Sequence, residues 1–234
     1  GAKPNSVKRL FFVFAAVWNH NNGKRGSVPR PWQEVSLGTQ NDQRDRVVTS
    51  EEVKAIFEAL KVEPQVVQDA IRFTLSMCCR RSETTRLRWA SVNLGKTPQA
   101  SSLTFLNTKT PKVGEPRKRE LPIYRDAFAI LSRLAKQEPD EDSRVFDVHP
   151  DTLTHAFRNA VVSAGIKVKP NLPAPRLHDL RHTRTTEFSH MFDVLSLATI
   201  TGHKDMRSLQ RYTHKRPEDL LERPPLRPRR PSVK

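Results

Sequence analysis

One short stretch of the chain combines a proton-exchanging side chain with an anion-binding one. His178-Asp179-Leu180-Arg181-His182 places His178 and Arg181 three residues apart, so both lie on one side if the stretch is helical. The planar guanidinium of arginine can hold two oxygens of one phosphate, and an imidazole exchanges protons near neutral pH. The pair therefore predicts a site for chemistry on a phosphate.

Further candidates for such chemistry lie on both sides of this stretch. Downstream, Gly202-His203 is followed nine residues later by Tyr212, a separation that allows a turn and a short helical segment to bring both to one pocket. Upstream, Arg80 and Lys109 add two cations. Each of these residues is weak evidence alone, but their order and spacing are informative together.

The ordered set resembles the active site of the tyrosine recombinases, also called phage-type integrases. Its members are Arg80, Lys109, His178, Arg181, His203 and Tyr212. The resemblance covers residues 47–216, and His-Asp-Leu-Arg-His, Gly-His and Arg-Tyr-Thr-His are its most specific parts. The stretch 195–214 also resembles inversion-type recombinases of shufflon systems.

The resemblance implies a division of roles in cutting a phosphodiester. Three side chains would clamp the scissile phosphate: Arg80, Arg181 and His203. Tyr212 would attack the phosphorus, Lys109 would protonate the departing 5′-oxygen, and His178 would assist proton transfer at the tyrosine. The covalent phosphotyrosine would conserve the bond energy, so we expect no ATP, no metal and no other cofactor.

Several of these positions have competitors in the sequence. Tyr124, the other tyrosine, ends a strand-like run beside Pro122 with no histidine nearby, which favours Tyr212 as the nucleophile. The remaining competitors are basic: Arg81 and Arg86 for Arg80, and Lys112 and Lys118 for Lys109.

Some neighbouring residues are expected to support the site rather than react. Glu83 would order the arginines through a charge-assisted bond, and His182 and His214 would have structural or phosphate-positioning roles. Two residues depart from the common pattern of the family: Cys78 stands where many relatives have glycine, and Thr201 where they have leucine. Both are interpreted as small adjustments in packing.

The charge of the chain indicates a polyanionic partner. Lysine and arginine total 41 against 25 acidic residues, which gives a formal charge of +16 and a pI near 10.4. No apolar run is long enough to span a bilayer, and no signal peptide or phosphate-cradling glycine loop is visible. The adjacent Cys78 and Cys79 cannot easily pair with each other, which favours a reducing, cytoplasmic compartment.

Hydrophobic periodicity predicts a mainly α fold with a small antiparallel β-sheet. A hairpin is predicted from the runs 103–106 and 119–123. Helices are predicted over 6–19, from Thr49, from Pro64 towards Arg80, over 82–89, 126–136 and 151–164, and from Leu177 onward. The predicted organisation is a helical remnant of an N-terminal core-binding domain at 1–20, a linker at 21–46, a catalytic domain at 47–216 and a basic proline- and arginine-rich tail at 217–234. The chain is accordingly expected to be part of a longer protein.

The sequence thus favours a site-specific recombinase that acts on double-stranded DNA, as a homotetramer and with accessory DNA-bending proteins. Two alternatives remain open at this point. One is a type IB topoisomerase, which shares the chemistry but relaxes supercoils, and the other is a catalytically silent DNA-binding protein of the same fold.

Overall fold

The protein is represented by a computed structural model that describes residues 4–22, 46–106, 118–169, 172–203, 208–209 and 212. The chain divides into two compact units, Gly1–Asp45 and Arg46–Lys234. The first contains helix α1, Pro4–Asn22, which leaves Leu10, Phe12 and Phe14 more than half exposed. In the described ranges, no helix is both long enough and apolar enough to cross a membrane.

The second unit is mainly helical, as predicted. Its helices are α2 Ser50–Ala59, α3 Gln65–Ser76, α4 Arg81–Arg86, α5 Arg125–Ala135, α6 Pro150–Ser163, α7 Leu177–Met191 and α8 Val194–Thr201. Short 3-10 turns cover Leu60–Val62, Trp89–Ser91 and Pro98–Ala100. The start of α2 follows from sequence, because Thr49 and Glu52 form the capping box that their spacing predicts.

The predicted hairpin is present as part of an antiparallel sheet with strand order β1-β2-β3. Its strands are β1 Val92–Asn93, β2 Ser102–Leu106 and β3 Lys118–Pro122. The sequence did not predict β1, because a strand of two residues is too short to show the alternation of apolar and polar residues that identifies a strand. Phe105 pairs with Arg119 across β2 and β3, which fixes which face of β3 each side chain takes.

Helix α7 lies at the centre of the second unit, where it packs on α3, α6 and α8. Its Leu180 and Phe188 join Phe73 of α3 and Phe157 of α6 in the hydrophobic core. The polar side of the same helix carries His178, Arg181 and His182. The fold therefore positions this motif on a rigid, buried element.

Helix α4 ends at Arg86 and not at the predicted residue 89, because the residues that follow pair with a distant segment of the chain. The chain becomes extended at Leu87, whose carbonyl accepts a hydrogen bond from the Val145 amide at 2.9 Å. Arg88 then forms a bridge with Arg144. Pairing with this distant segment competes with continuation of the helix after Arg86.

Candidate active site

Arg80 is held at the start of α4 by the carboxylate one turn later. Its backbone amide donates to Glu83 Oε2 at 2.6 Å, and its Nη1 donates to Glu83 Oε1 at 2.9 Å. Its Nη2 donates to the carbonyl of Gly202 at 3.4 Å. The predicted Arg80 and the predicted Gly-His motif are therefore in direct contact.

Arg181 is buried beneath this cluster, with 4% of the residue exposed. Its Nη1 donates to the carbonyl of Cys78 at 2.6 Å, and its Nη2 donates to the carbonyl of Thr201. Nη1 also lies 3.9 Å from Glu83 Oε2. Burial lowers the pKa of Arg181, but a guanidinium stays protonated in proteins, so the positive charge is retained.

A third arginine, Arg119 on β3, joins the cluster and was not among the predicted site residues. Its Nη2 pairs with Glu83 Oε2 at 3.2 Å, and its guanidinium carbon lies 4.9 Å from the centre of the Phe105 ring. Arg119 is 8% exposed, and no described residue accepts a hydrogen bond from its buried Nε or Nη1. A charged residue in a strand is expected on the face that meets solvent. Arg119 lies on the buried face of β3, where its charge is paired with Glu83.

Glu83 connects these three guanidiniums. Its own burial would raise its pKa, but Arg119, the Arg80 amide and Arg181 outweigh that effect, so the pKa of Glu83 is lowered. A permanent carboxylate thus faces three permanent cations, and the four side chains carry a net charge of +2. Such a surplus in a partly desolvated site favours binding of an anion. Arg80, whose side chain is 30% exposed, gives the cluster its opening to solvent.

Cys78 has a backbone role beyond the small packing adjustment that the sequence suggested. Its φ is 51°, in the left-handed region that favours glycine. This conformation presents the Cys78 carbonyl to Arg181. Both cysteines are free and buried, and burial raises the pKa of Cys78 and raises that of Cys79 to about 12, so both thiols stay protonated and unreactive.

Thr201 likewise contributes more to the site than packing. Its hydroxyl donates to the carbonyl of Leu197 at 2.6 Å and also lies 2.6 Å from His203 Nδ1. A hydroxyl has one hydrogen, so the bond to Leu197 leaves Thr201 as the acceptor from His203 Nδ1–H. This arrangement fixes the histidine ring by its Nδ1 edge.

His178 lies on the solvent-facing side of α7, close to the arginine cluster. Partial desolvation by the surrounding protein lowers its pKa, and Arg181 and Arg80 add to the lowering, against an opposing effect of Asp179. The ring is therefore neutral at pH 7 and able to accept a proton. Its electrostatic neighbours are the groups predicted to clamp the phosphate.

The predicted nucleophile Tyr212 is held by the imidazole of His182, which lies on α7. The hydroxyl of Tyr212 lies 2.7 Å from His182 Nδ1, and the two rings meet edge to face with 5.0 Å between centroids. The sequence placed His182 in a structural or phosphate-positioning role. Its position four residues after His178 placed it on the right face of α7, but nothing in the sequence pointed to the tyrosine.

Two other predicted features lie outside the described residues. Lys109, with its competitor Lys112, belongs to the connection between β2 and β3, and the tail after Tyr212 includes His214. Lys118, the other competitor, is the exposed first residue of β3. In the part of the chain that the structure describes, no three His, Cys, Asp or Glu residues lie close enough to hold a metal ion together.

Proteins with related sequences and folds are integrases and recombinases. The sequence model of the phage integrase family matches residues 46–219. An inferred integrase/recombinase of Haemophilus influenzae is 27% identical over 215 residues, 89% of this chain and 66% of the relative. The shufflon-specific DNA recombinase of Escherichia coli is 25% identical over 94% of this chain and 53% of its own length.

The chain thus spans between about half and two thirds of the length of these two relatives. Among solved structures, a lambda integrase tetramer bound to a Holliday junction superposes with a TM-score of 0.69 at 16% identity. That match covers 87% of this chain and 60% of the integrase chain. The likeness confirms the predicted fold class.

Proposed function

Because this chain belongs to the phage integrase family, we propose that it cuts and rejoins DNA strands at specific sites through a covalent bond between Tyr212 and a DNA 3′-phosphate. The observation that carries the proposal is the cluster of Arg80, Arg119 and Arg181 around the single carboxylate of Glu83. Helix α7 contributes both Arg181 to this cluster and His182 to the tyrosine. The anion site and the nucleophile are thereby attached to one rigid element.

The arginine cluster would stabilise charge that grows on the scissile phosphate. As the tyrosine oxygen attacks phosphorus, negative charge accumulates on the two nonbridging oxygens, and fixed guanidiniums stabilise this charge without reorganising. Arg80 and Arg181 would contact these oxygens together with His203. Glu83 would keep the guanidiniums in place before DNA arrives, which reduces the cost of orienting them.

Lys109 would supply the proton that the departing 5′-oxygen needs. Its place in the sequence between β2 and β3 resembles that of the lysine in the family, and β3 itself contacts α8, which ends at Gly202. Rejoining would run the same steps in reverse with a second 5′-hydroxyl, so no external energy source is required. Exchange of the strand between two sites would make the outcome recombination.

The partners of the whole protein follow from the same proposal. We propose that the substrate is double-stranded DNA and that four protomers assemble on two sites, as in the lambda integrase tetramer on a Holliday junction. Accessory DNA-bending proteins would shape the complex. Helix α1 would be the last helix of a core-binding domain, and its exposed apolar residues would pack against other helices of that domain.

The proposal is tested by trapping the covalent intermediate. Duplexes enriched from a random pool by binding to the chain are nicked at successive positions, so that cleavage releases a short fragment and cannot be reversed. We expect an SDS-resistant protein–DNA adduct with the wild-type chain and none with Tyr212→Phe. Adducts that survive in Tyr212→Phe, or none with any nicked duplex, would contradict the proposal. Efficient relaxation of any plasmid would instead support a topoisomerase.

The role of Lys109 has a sharper test. Lys109→Ala should slow adduct formation by roughly two to four orders of magnitude, the usual range for loss of a general acid. A bridging sulfur at the 5′ position leaves without a proton, so this substrate should restore most of the rate. If sulfur rescues alanine at Lys112 or Lys118 but not at Lys109, the acid is that neighbour.

A further inference from the structure

Arg119 is bonded less completely than the two other arginines of the cluster. The Arg80 side chain donates to Glu83 and to the carbonyl of Gly202. Arg181 donates to two backbone carbonyls. Arg119 donates to Glu83 through Nη2 at 3.2 Å, and within the described ranges no acceptor meets its buried Nε or Nη1. Burial of a guanidinium with unpaired donors is costly, so its place in the cluster calls for an explanation.

The surroundings of Arg119 keep its charge behind the site. Its guanidinium lies over the ring of Phe105 and against Gly202, where an added Cβ would clash with Nη1. The Arg119 side chain is 7% exposed, against 30% for that of Arg80. Arg119 is therefore set back from the opening at which a phosphate would meet Arg80, and it can influence that phosphate only through its neighbours.

The neighbour through which Arg119 can act is Glu83. Oε1 of Glu83 accepts from the Arg80 side chain, and Oε2 accepts from the Arg80 amide and from Arg119. This carboxylate orients Arg80, but its negative charge also opposes any phosphate that approaches the same guanidinium. Without Arg119, Glu83 would cancel one of the two charges of Arg80 and Arg181, and a single positive charge would remain for the phosphate.

We propose that Arg119 is a positioning residue for strand cleavage, whose guanidinium neutralises Glu83 so that the charges of both Arg80 and Arg181 remain available to the scissile phosphate. This inference rests on the proposed strand-cleavage function and adds a residue to it. The effect should be largest in the transition state, because the phosphate gains negative charge as the tyrosine oxygen attacks. DNA affinity should change little, since many other phosphate contacts contribute to it.

Two substitutions separate the charge of Arg119 from its volume. Arg119→Met keeps an unbranched apolar side chain over the Phe105 ring but carries no charge, and Arg119→Lys keeps the charge. On saturating nicked duplexes, we expect Arg119→Met to slow adduct formation by about 10- to 100-fold, less than the loss of a donor that contacts the developing charge directly. Arg119→Lys should recover most of that loss, and both variants should bind DNA with nearly wild-type affinity.

A methylphosphonate at the scissile position tests whether the effect is electrostatic. A methyl group in place of one nonbridging oxygen removes one negative charge, so the transition state needs less positive charge around it. The loss caused by Arg119→Met should therefore be roughly 3- to 10-fold smaller on this substrate than on ordinary DNA. The quantity compared is the ratio of the two rates in one preparation, so the folded fraction of a variant cancels.

Arg184 on α7 provides the matched control. Its guanidinium carbon lies 4.5 Å from the centre of the Phe188 ring, and its Nη1 bonds to Glu187 Oε2 at 2.6 Å. As with Arg119, no described residue accepts a hydrogen bond from its buried Nε. Glu187, however, is bonded to none of the clustered arginines in the part of the chain that the structure describes. Arg184→Met should therefore leave the ratio of the two rates at its wild-type value.

The proposal is overturned if Arg119→Met cleaves ordinary DNA as fast as wild type, if it slows both substrates equally, or if Arg184→Met changes the ratio as much. Where Arg119→Met folds too poorly for a rate to be measured, Arg119→Gln is compared in the same way. Absence of adduct with the wild-type chain would refute the strand-cleavage function itself. A normal wild-type rate with an unchanged ratio in Arg119→Met refutes only the role of Arg119.

Discussion

At the scale of single residues, the site depends on groups that orient the reacting ones. Glu83 contacts Arg80 and Arg119, and the Thr201 hydroxyl fixes the ring of His203. The sequence predicted that Glu83 would order the arginines through a charge-assisted bond. The contribution of Thr201 was hidden, since a small polar residue beside glycine has many ordinary explanations.

Thr201→Val should separate the orientation of His203 from its chemistry. Valine keeps the shape of threonine but removes the hydroxyl that accepts from Nδ1–H, while the backbone carbonyl that accepts from Arg181 remains. Loss of one such hydrogen bond costs about 1 kcal/mol, so single-turnover adduct formation should slow by roughly 3- to 10-fold with little change in DNA affinity.

Two control variants decide how Thr201→Val is interpreted. Thr201→Ser keeps the hydroxyl and should recover most of the rate. Thr199→Val removes a comparable bond, from the Thr199 hydroxyl to the carbonyl of Leu195 at 3.0 Å, on the exposed side of α8, and should leave the rate unchanged. A slow Thr201→Ser would indicate that the methyl packing, and not the hydroxyl, is what matters.

At the scale of elements, helix ends determine where the site residues lie. Gly202 ends α8 at φ 67°, and a Cβ built there would lie 2.2 Å from Arg119 Nη1. Gly165 follows α6 with φ 63°, but a Cβ there would meet nothing within 4 Å. Both glycines have a left-handed backbone conformation. Only at Gly202 would a Cβ atom occupy the space that Arg119 fills.

This pair gives a matched test of the packing between α8 and β3. Gly165→Ala should lower the free energy of unfolding by about 1 kcal/mol, the cost of a left-handed non-glycine residue. Gly202→Ala should cost roughly 1–3 kcal/mol more, because Arg119 is confined by Phe105 and Glu83 and cannot move aside freely. Urea denaturation of both variants measures the difference.

The Arg119→Ala background distinguishes the clash from the backbone strain. There the extra cost of Gly202→Ala should vanish, since the two residues are in contact and their effects are not additive. Equal costs for the two glycine variants in the wild-type background would show that Arg119 yields without penalty.

The elements themselves were largely predictable, whereas the contacts between them were not. Apolar spacing predicted α5, α6 and α7 to within a residue or two where bounds were given, because each buries one face. The inward turn of Arg119 depends on strand register and on a carboxylate 36 residues earlier, which no local pattern encodes. The contact between His182 and Tyr212 likewise joins residues 30 apart.

At the scale of the whole molecule, charge governs the encounter with DNA. Part of the surplus of +16 lies in the arginine cluster, the β2–β3 connection and the tail, and most of the binding energy is expected from phosphate contacts that carry no sequence information. The specificity of the proposed reaction would then depend on a few contacts to base edges and on the correct placement of the scissile phosphate.

Salt dependence tests this view and also the role of the tail. If about six phosphates are contacted, a tenfold rise in salt should weaken single-site binding by about five orders of magnitude.

We expect the tail after Arg216, with Arg223, Arg227, Arg229, Arg230 and Lys234, to dock on a neighbouring protomer through Leu220, Leu221 and Leu226. Its deletion should leave the single-site slope nearly unchanged and abolish cooperative assembly on paired sites. A slope that falls by about one for each basic residue removed would instead place the tail on DNA, and a flat salt dependence of the full chain would contradict binding through phosphates.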